Sequence, residues 1–556
     1  MIFLLPCSVD ISGFLMYNKV ENEWTESVMI KTSIKLPYNY TKSDVMAALT
    51  SHLPVAANEV RELKIIKRTL NISDKDNIHY DAVIAASLSP EREAGLLKMR
   101  KKVAKAPDLT LEIPTVKMST RPVVIGAGPA GLFAALLLAE AGACPILYER
   151  GLAVDERAKK VDTFQSLGIL DPECNVQFGE GGAGTYSDGK LKLGALDKYN
   201  YKVLSDFVDA GAPEEIIFAS GAHLGTDKLP NIVKRIREKI ISLGGEVHFS
   251  SCLTDIKIAD GRVVGGSILH NGTITEFETE NLILATGHSA HDVFALLKDK
   301  GACLEPRGFG IGMRIEHPRE YIDEIVYGKN RPSDIGSASY HLVTHLGNDR
   351  SVYSFCMCPG GTVVPAASEQ SGIVTNGMSK YARNADNSNA AFLVSVTPSD
   401  FGSDDVLAGL ALQRSIERRA FVVAGGTYKA PATTMHSFMQ REKTAAFTSV
   451  KPSYALGVEN IAPEDYLPEF ITESIRAAIP DFDDWMHGFY YPDAAMTGPE
   501  TRTTSPIKVV RNEHFESSTI QGLYPIGEGA GYAGGIVSSA RDGLIVAEKI
   551  LEKCHK

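Results

Sequence analysis

The chain has few of the features that mark metal, disulfide or membrane proteins. No H-E-x-x-H, paired Cys/His spacing or ladder of acidic residues indicates a metal site. No stretch reaches membrane-spanning length without charges or breakers. The apolar start "MIFLLPCSVD" lacks the preceding basic residue and the following cleavage site of a signal peptide. These absences predict a cytoplasmic protein with no metal and no membrane partner.

Cysteine is present, but the spacing of the cysteines matches no disulfide or metal-binding motif. The eight cysteines form no C-x-x-C pair, which is typical of a reduced, intracellular protein and argues against a disulfide framework. They are Cys7, Cys144, Cys174, Cys252, Cys303, Cys356, Cys358 and Cys554.

Length and charge indicate the number of domains and limit the kinds of partner. A chain of 556 residues predicts two to four domains. Its 44% hydrophobic and 22% charged content is that of an ordinary globular protein. The formal net charge of -11 makes nucleic acid an unlikely general partner, although it leaves room for a local basic patch. The sequence does not indicate an oligomeric state.

The first 117 residues predict a small α+β domain of ferredoxin-like type, followed by a linker. Residues 28–36 alternate apolar and polar as a half-buried strand does, and Thr41 or Ser43 can cap a helix through "DVMAALTSHL". Two further strands are predicted at "LKIIKRTL" and "DAVIAASL". Residues 91–120, charged and then punctuated by proline, are interpreted as the linker.

From residue 118 to 305 strands and helices alternate, which predicts an α/β domain of Rossmann type. "PVVIGAG" is typical of a strand buried on both faces of a parallel sheet. Short strands at "TDIKIAD", "RVVGGSIL" and "GTITEFE" predict a β-meander. Residues 306–504 lack this alternation, so we interpret them as an irregular, mixed α+β substrate domain. Residues 505–556 would return to the first domain.

The pattern G-x-G-x-x-G occurs three times, and "GAGPAG" at Gly126–Gly131 has the full context of a dinucleotide site. A buried strand precedes it, a helix follows at once, and the next strand ends in Glu149. Gly126 suits the tight turn, Gly128 the approach of a pyrophosphate, and Gly131 the contact between helix and strand. The helix N-terminus favours phosphate, and Glu149 is placed to accept hydrogen bonds from a ribose. This segment therefore predicts a bound dinucleotide.

The other two patterns are incomplete. "GAGYAG" at Gly529–Gly534 follows a strand and precedes a helix from Ile536, but no second strand comes after it. That helix N-terminus is suited to the negative edge of a reduced flavin; the alternative is a plain core helix. "GEGGAG" at Gly179–Gly184 is followed by a polar, broken segment, so it lies along a ring system or is a surface loop. Together the three predict one FAD.

Several segments resemble known flavoproteins. "VVIGAGPAGLFAALLLAEAG", "LILATGHSA" and "YPIGEGAGYAGGI" resemble the FAD-binding segments of the glutathione-reductase-type superfamily. More narrowly, "NVQFGEGGAGTYSDGKL", "YSFCMCPGGTVV", "TNGMS" and "ETRTTSP" resemble a family of FAD-dependent dehydrogenases, from about Leu63 to the C-terminus. The residues that the glycine patterns and this resemblance together assign to FAD are Gly126, Gly128, Pro129, Ala130, Gly131, Glu149, Arg150, Arg157, Gly181, Gly182, Ala183, Leu253, Gly287, Gly527, Glu528, Gly529, Gly535 and Ile536. The resemblance implies that Arg157, seven residues after Arg150, binds phosphate.

The candidates for catalysis are Arg502, His223, Cys356 and Cys358. Arg502 would clamp an anionic substrate or support the flavin, unless it forms an ordinary salt bridge. Cys356 and Cys358 would form a redox relay or, as we favour, pack as ordinary side chains or line the pocket, because positions i and i+2 of one strand do not suit a relaxed disulfide. His223 is predicted near the cofactor loops, although a lone histidine is more often structural.

The sequence thus predicts an FAD-dependent oxidoreductase that transfers hydride through flavin N5 to or from a small organic substrate. A second complete βαβ unit for NAD(P)H is not visible, so NAD(P)H is a candidate only as a transient reductant. Two alternatives remain. The N-terminal domain and the basic run "KMRKKVAK" would suit a flavin-dependent RNA-modifying protein, and a flavin-binding redox scaffold would show no turnover.

Overall fold

The computed structural model describes residues 29–99, 101–192, 194, 196–347 and 349–554. The apolar start at residues 1–10, with Cys7, lies outside the described residues, so its prediction is not addressed by the structure. Within the described part, no helix combines the length and the apolar character needed to cross a bilayer.

The N-terminal unit is a sheet with helices packed against it. Its elements are β1 (Ile30–Pro37), α1 (Lys42–His52), β2 (Glu62–Asn71), β3 (His79–Ser87), α2 (Pro90–Leu97) and β4 (Ala104–Lys105). Neighbouring strands are antiparallel in the order β2-β3-β1-β4. Helix α1 begins after Thr41, as predicted. The backbone of Arg68 exchanges hydrogen bonds of 2.7 Å with Phe218 and Ser220, which joins this unit to the next.

The predicted linker at residues 91–120 is wrong over its first part. Residues 90–97 form α2, because Ser89 caps the helix by accepting from the N–H of Arg92 and Pro90 occupies the first helical position. Residues 104–105 then pair with β1 and complete the sheet.

The second unit contains a parallel sheet and an antiparallel meander. Its elements are β5 (Val123–Ile125), α3 (Pro129–Glu140), β6 (Ile146–Tyr148), α4 (Val154–Leu167), α5 (Lys198–Asp209), α6 (Gly225–Ser242), β7 (Glu246–His248), β8 (Ser251–Ala259), β9 (Arg262–His270), β10 (Thr273–Glu278), β11 (Leu282–Leu284) and α7 (His291–Asp299). Strands β11, β5, β6 and β7 are adjacent in that order and parallel. Strands β8, β9 and β10 form the meander.

The third unit is built on a long sheet. Its elements are β12 (Leu304–Pro306), β13 (Phe309–Pro318), α8 (Arg319–Tyr327), β14 (Val343–His345), β15 (Ser351–Cys358), β16 (Thr362–Pro365), β17 (Thr375–Met378), β18 (Asn387–Val396), α9 (Ala408–Val423), β19 (Ala430–Thr434), α10 (Met435–Gln440), β20 (Val458–Asn460), α11 (Glu469–Trp485) and β21 (Ala495–Glu500). The sheet order is β14-β15-β18-β13-β21-β19-β20.

The prediction that residues 306–504 are irregular is therefore wrong. Strand β13 alternates apolar residues with glycines and charged residues from Phe309 to Glu316, a strand pattern that the prediction overlooked, and nine of its ten residues are buried. It also carries the buried charges Arg314 and Glu316, which hide it from a search for apolar runs.

The C-terminal segment returns to the second unit. It forms β22 (Ile507–Val509), β23 (Leu523–Pro525) and α12 (Ile536–Cys554). Strand β23 joins the parallel sheet beside β11, and β22 pairs with β12. Helix α12 lies directly on α3, since a Cβ built on Gly543 would be 2.2 Å from the carbonyl oxygen of Ala130. The predicted mixed α/β class is confirmed.

Candidate functional site

A cavity of about 500 Å³ lies where the parallel sheet, the loop at residues 177–192 and the sheet of the third unit meet. Most of the residues that the sequence proposes for a cofactor line it. They are Gly126, Gly128, Pro129, Ala130, Glu149, Arg150, Gly182, Ala183, Leu253, Gly287, Gly527, Glu528, Gly535 and Ile536. Of the catalytic candidates, Cys356, Cys358 and Arg502 also line it.

The three glycine patterns converge at this cavity. A Cβ built on Gly128 would lie 3.9 Å from the Cα of Gly182, so the first and second patterns are in backbone contact. One built on Gly184 would lie 3.1 Å from Cγ1 of Ile536, at the start of α12. Segments more than 350 residues apart in the chain therefore form adjacent walls of one cavity.

Two helices begin at the cavity. Helix α3 starts at Pro129 after Gly128, whose backbone is extended and which offers no capping side chain. Helix α12 starts at Ile536, after Gly534 and Gly535. The first N–H groups of a helix lack intrahelical acceptors and carry a partial positive charge, so both starts favour negatively charged ligand atoms.

Glu149 connects two of the glycine segments. Its Oε2 accepts from the N–H of Ala127 at 2.7 Å, and its Oε1 accepts from the N–H groups of Gly151 and Gly179 at 2.9 Å each. The side chain is 5% exposed and still lines the cavity. Since a carboxylate oxygen accepts two hydrogen bonds, Oε2 keeps one acceptor position for a ligand hydroxyl.

Three of the predicted cofactor glycines support the lining without being part of it. A Cβ on Gly131 would lie 1.9 Å from the carbonyl oxygen of Gly126, so α3 approaches the turn closely there. The N–H of Gly181 donates to the carbonyl of Ala127 at 2.8 Å. A Cβ on Gly529 would lie 2.5 Å from the carbonyl oxygen of Gly287.

Arg157 does not lie on the cavity, contrary to its predicted contact with phosphate. Its side chain is fully buried. The guanidinium donates to the backbone carbonyls of Asn175, Val176, Gly179 and Glu180 at 2.6–3.3 Å. These bonds hold the loop that carries the second glycine pattern, so Arg157 shapes the cavity from behind.

His223 also lies behind the cavity wall, so the predicted catalytic contact is not seen. Its Nε2 is 2.8 Å from the carbonyl of Tyr381, and its ring stacks on that tyrosine at 5.1 Å. Burial and, to a smaller extent, the guanidinium of Arg383 lower the pKa of His223 to about 3. The imidazole is therefore neutral near pH 7.

Arg502 lines the cavity, but its guanidinium is engaged. Nε and Nη2 donate to the two carboxylate oxygens of Glu417 at 2.9 and 2.8 Å, and Nη1 donates to Oγ of Ser368 at 2.5 Å. Both partners of this pair are buried. Of the two interpretations offered by the sequence, this geometry favours an ion pair over a substrate clamp.

Cys356 and Cys358 lie in an irregular part of β15, where the register with β18 shifts between Phe355 and Cys358. Cys356 adopts φ +39°, uncommon for a residue with a side chain, and lines the cavity. Its carbonyl accepts from Nη1 of Arg314 at 2.8 Å. Burial raises the pKa of the Cys358 thiol to about 12 and also raises that of Cys356. Both thiols therefore stay protonated; a redox role stays a prediction.

The sequence search missed several residues of the cavity wall. Lys190 and Lys192 follow the second glycine pattern, and Asn376 and Glu500 come from β17 and β21. The one local signal was the polar segment "TYSDGKLKLG", which indicated a loop but not a ligand. Asn376 and Glu500 had no local signal, because only the folding of the third unit brings β17 and β21 to the cavity.

The lining suits a large, partly polar cofactor such as FAD. Nε2 of His288 and Oγ of Ser289 are buried, line the cavity and have no hydrogen-bond partner among the described residues. A Cβ on Gly287 or Gly534 would meet no atom within 4 Å, so ligand atoms can approach the backbone there. The unpaired polar atoms and the open backbone fit a ligand that has both flat faces and hydrogen-bonding groups.

Comparison with known proteins agrees with this interpretation. Residues 308–503 match the family model "FAD-dependent protein, C-terminal domain-like". An uncharacterized protein of Clostridium beijerinckii is 43% identical over 508 residues, which cover 90% of this chain and 94% of the relative.

Solved structures show only distant similarity. The flavin-dependent brominase Bmp2 is 12% identical, with 78% of this chain and 79% of that chain covered and a TM-score of 0.37. A flavoprotein/dehydrogenase from Cytophaga hutchinsonii is 13% identical with the same coverages and a TM-score of 0.36. At 43% identity over nine-tenths of its length, the chain belongs to the same family as the clostridial protein, and it carries an FAD-dependent protein C-terminal domain.

Proposed function

We propose that this protein is an FAD-dependent oxidoreductase of the glutathione-reductase-type superfamily, which transfers hydride to or from a small organic substrate. The observation that carries the proposal is the convergence of the three glycine segments on one cavity, with two helix N-termini directed at it. The family match to an FAD-dependent protein supports the choice of cofactor.

The residues of the second unit would hold the nucleotide half. The N-terminus of α3 would bind the pyrophosphate, because its free N–H groups and dipole favour anions. Glu149 would accept a hydrogen bond from a ribose hydroxyl at the free position of Oε2. Arg150, shortly after β6, and Leu253, in β8, both line the cavity and would enclose the adenine.

The remaining walls would hold the ring system and the substrate. When bound, FAD would supply two-electron chemistry at its ring, which the protein side chains cannot provide. The backbone at Gly182 and Ala183 would lie along one side of the ring, and the N-terminus of α12 would stabilise negative charge at its edge. The sheet of the third unit would close the space above it and exclude water, with the Cys356 thiol keeping its proton at Sγ.

The first test is cofactor binding. Purified protein should be yellow, absorb near ~450 nm and lose this band under anaerobic reduction. Gly534→Leu should weaken FAD binding by about tenfold or more, because the new side chain would enter open space at the cavity. Gly95→Leu is the matched control, since Gly95 also has no atom within 4 Å of a Cβ but lies on the exposed face of α2.

A colourless protein that takes up no FAD would refute the proposal. If FAD binds, anaerobic reduction by NADH and NADPH should be compared with a screen of metabolites, using the flavin band as the readout. A flavin that no metabolite and neither nicotinamide reduces faster than free FAD would favour a scaffold without turnover.

A further inference from the structure

The polar wall of the cavity beyond the second glycine pattern contains two lysines. Nζ of Lys190 donates to the carbonyl of Met357 and to Oγ of Ser339 at 3.3 Å. One N–H of its three is then left for another acceptor. Lys192 lines the same wall, with Nζ 5.8 Å from the centre of the Phe355 ring.

Neither lysine has a carboxylate within ion-pair distance among the residues the structure describes. Burial lowers the pKa of Lys190, and the carboxylate of Asp188 only partly opposes this effect. An anion bound beside Nζ would oppose the effect of burial and favour the charged form of Lys190.

The acidic residues of this wall do not supply the missing charge. Asp188 forms two hydrogen bonds with the guanidinium of Arg383, and although burial raises the pKa of Asp188, this guanidinium and, to a smaller extent, the ammonium of Lys190 hold it at about 2. Glu500 is bound through both oxygens by Arg314, at 2.5 and 2.9 Å. Each carboxylate is thus neutralised by its own buried arginine, and the lysines remain as net positive charge.

Asn376 adds a neutral donor to the same wall. Its Oδ1 accepts from Nη2 of Arg314 and from the N–H of Gly377, both at 2.8 Å. Because the oxygen is held in this way, the NH₂ group is the part of the amide that is free for a ligand. Two cations and an amide donor on one wall match the acceptor oxygens of an anion.

We propose that the substrate of this cavity is a small organic anion whose carboxylate is bound by Lys190, Lys192 and Asn376. This inference rests on the proposed function, because FAD would fill the nucleotide part of the cavity and leave the wall with Lys190, Lys192 and Asn376 to the substrate. It also moves the anion site away from Arg502, whose charge Glu417 already balances.

The test uses FAD-loaded protein and pairs of acids with their neutral amides: benzoate with benzamide, and succinate with succinamide, with inorganic phosphate as a further arm. Binding is measured by calorimetry and by the shift of the flavin absorption band. At least one acid should bind about 10- to 100-fold more tightly than its amide, as expected for charge-assisted hydrogen bonds. Tighter binding of phosphate than of any acid would overturn the assignment to a carboxylate.

The lysine variants show where the acid binds. Lys190→Met and Lys192→Met should each weaken acid binding by about tenfold and leave amide binding unchanged. Lys35→Met is the matched control, because Lys35 is exposed on β1 in the N-terminal unit. Lys190 also donates to the carbonyl of Met357, so Lys190→Met could prevent folding. In that case Lys192→Met, which changes an exposed side chain, tests whether the lysines bind the acid.

Failure of this inference is distinguishable from failure of the proposed function. FAD uptake is measured first, and a wild-type protein that takes up none refutes both. If FAD binds but acids and amides bind equally, or if Lys192→Met binds acids as wild type does, only the inference about the substrate is overturned.

Discussion

Replacing Gly543 with alanine tests whether the contact between α12 and α3 holds two walls of the cavity together. A Cβ at this position would lie 2.2 Å from the carbonyl oxygen of Ala130 and 3.2 Å from the nitrogen of Ala134. Ordinary contact begins at 3.4 Å, and the nearest obstacle is backbone, which cannot rotate away. The two helices would therefore have to separate by about 1 Å.

Two opposing effects decide the free energy of unfolding of this variant. Alanine in place of glycine inside a helix stabilises by about 0.5–1 kcal/mol. Overpacking of a well-packed contact costs about 1–3 kcal/mol. We expect the second effect to win, with a net loss of about 1–2 kcal/mol and a Tm lower by a few degrees. FAD affinity should also fall, because the first residues of α12, Gly535 and Ile536, line the cavity.

The matched control is Gly95→Ala. Gly95 lies on the exposed face of α2, and a Cβ there would meet no atom within 4 Å, so only the helix effect applies and Tm should rise or stay the same. Thermal unfolding of both variants and FAD titration by flavin fluorescence provide the measurements. If Gly543→Ala stabilises as Gly95→Ala does and binds FAD with unchanged affinity, the reasoning is refuted.

Three further predictions follow from the ion pairs and hydrogen bonds. Glu149→Gln should weaken FAD binding by about tenfold, since an amide cannot accept all three backbone N–H groups; unchanged titration curves would contradict this. Arg502→Met should destabilise by about 3–5 kcal/mol by leaving Glu417 buried and unpaired, and a second change, Glu417→Met, should recover much of the Tm; a lone Arg502→Met with wild-type Tm would exclude the pair as a stabilising element. Burial lowers the pKa of His223 to about 3 in the folded protein, so the unfolded chain binds a proton at this imidazole more tightly than the folded protein does. The stabilisation that requires a neutral His223 is therefore complete above about pH 6.5 and is lost as the pH falls toward 3. The Tm of His223→Gln should therefore decrease less than that of wild type between about pH 7 and pH 4, and equal decreases would contradict the assignment.

The first glycine turn could be predicted because the residues that form it are neighbours in the chain. A buried strand, glycines with a tight turn and an apolar helix are contiguous in residues 122–140, so neighbouring residues determine each feature. Gly126 adopts φ +104°, which other residues rarely reach, and the turn lies where the pattern places it. The helix at 225–242 and the meander at 251–278 were predictable for the same reason.

Residues whose partners are distant in the chain could not be predicted in this way. Arg157 looks like a phosphate ligand by its spacing from Arg150, but its acceptors are carbonyls of a loop 18 to 23 residues later. Arg502 looks free until α9 brings Glu417 beside it, 85 residues away. The sequence around a charged residue shows that a charge is present; the tertiary structure determines whether protein or ligand atoms bind it.

The geometry of the cavity also depends on Gly543, which lies outside all three glycine patterns. The third glycine pattern directs the start of α12 at the cavity, but a helix N-terminus acts on a ligand only within about its first turn. The distance between the start of α12 and the first glycine pattern is set at Gly543, seven residues after Ile536, where α12 contacts the backbone of α3 at Ala130. Ala130 also lines the cavity, so this one crossing point links the position of both helix starts. A pattern search that stops at Gly534 therefore finds the ligand-facing residues but misses the contact that brings them together.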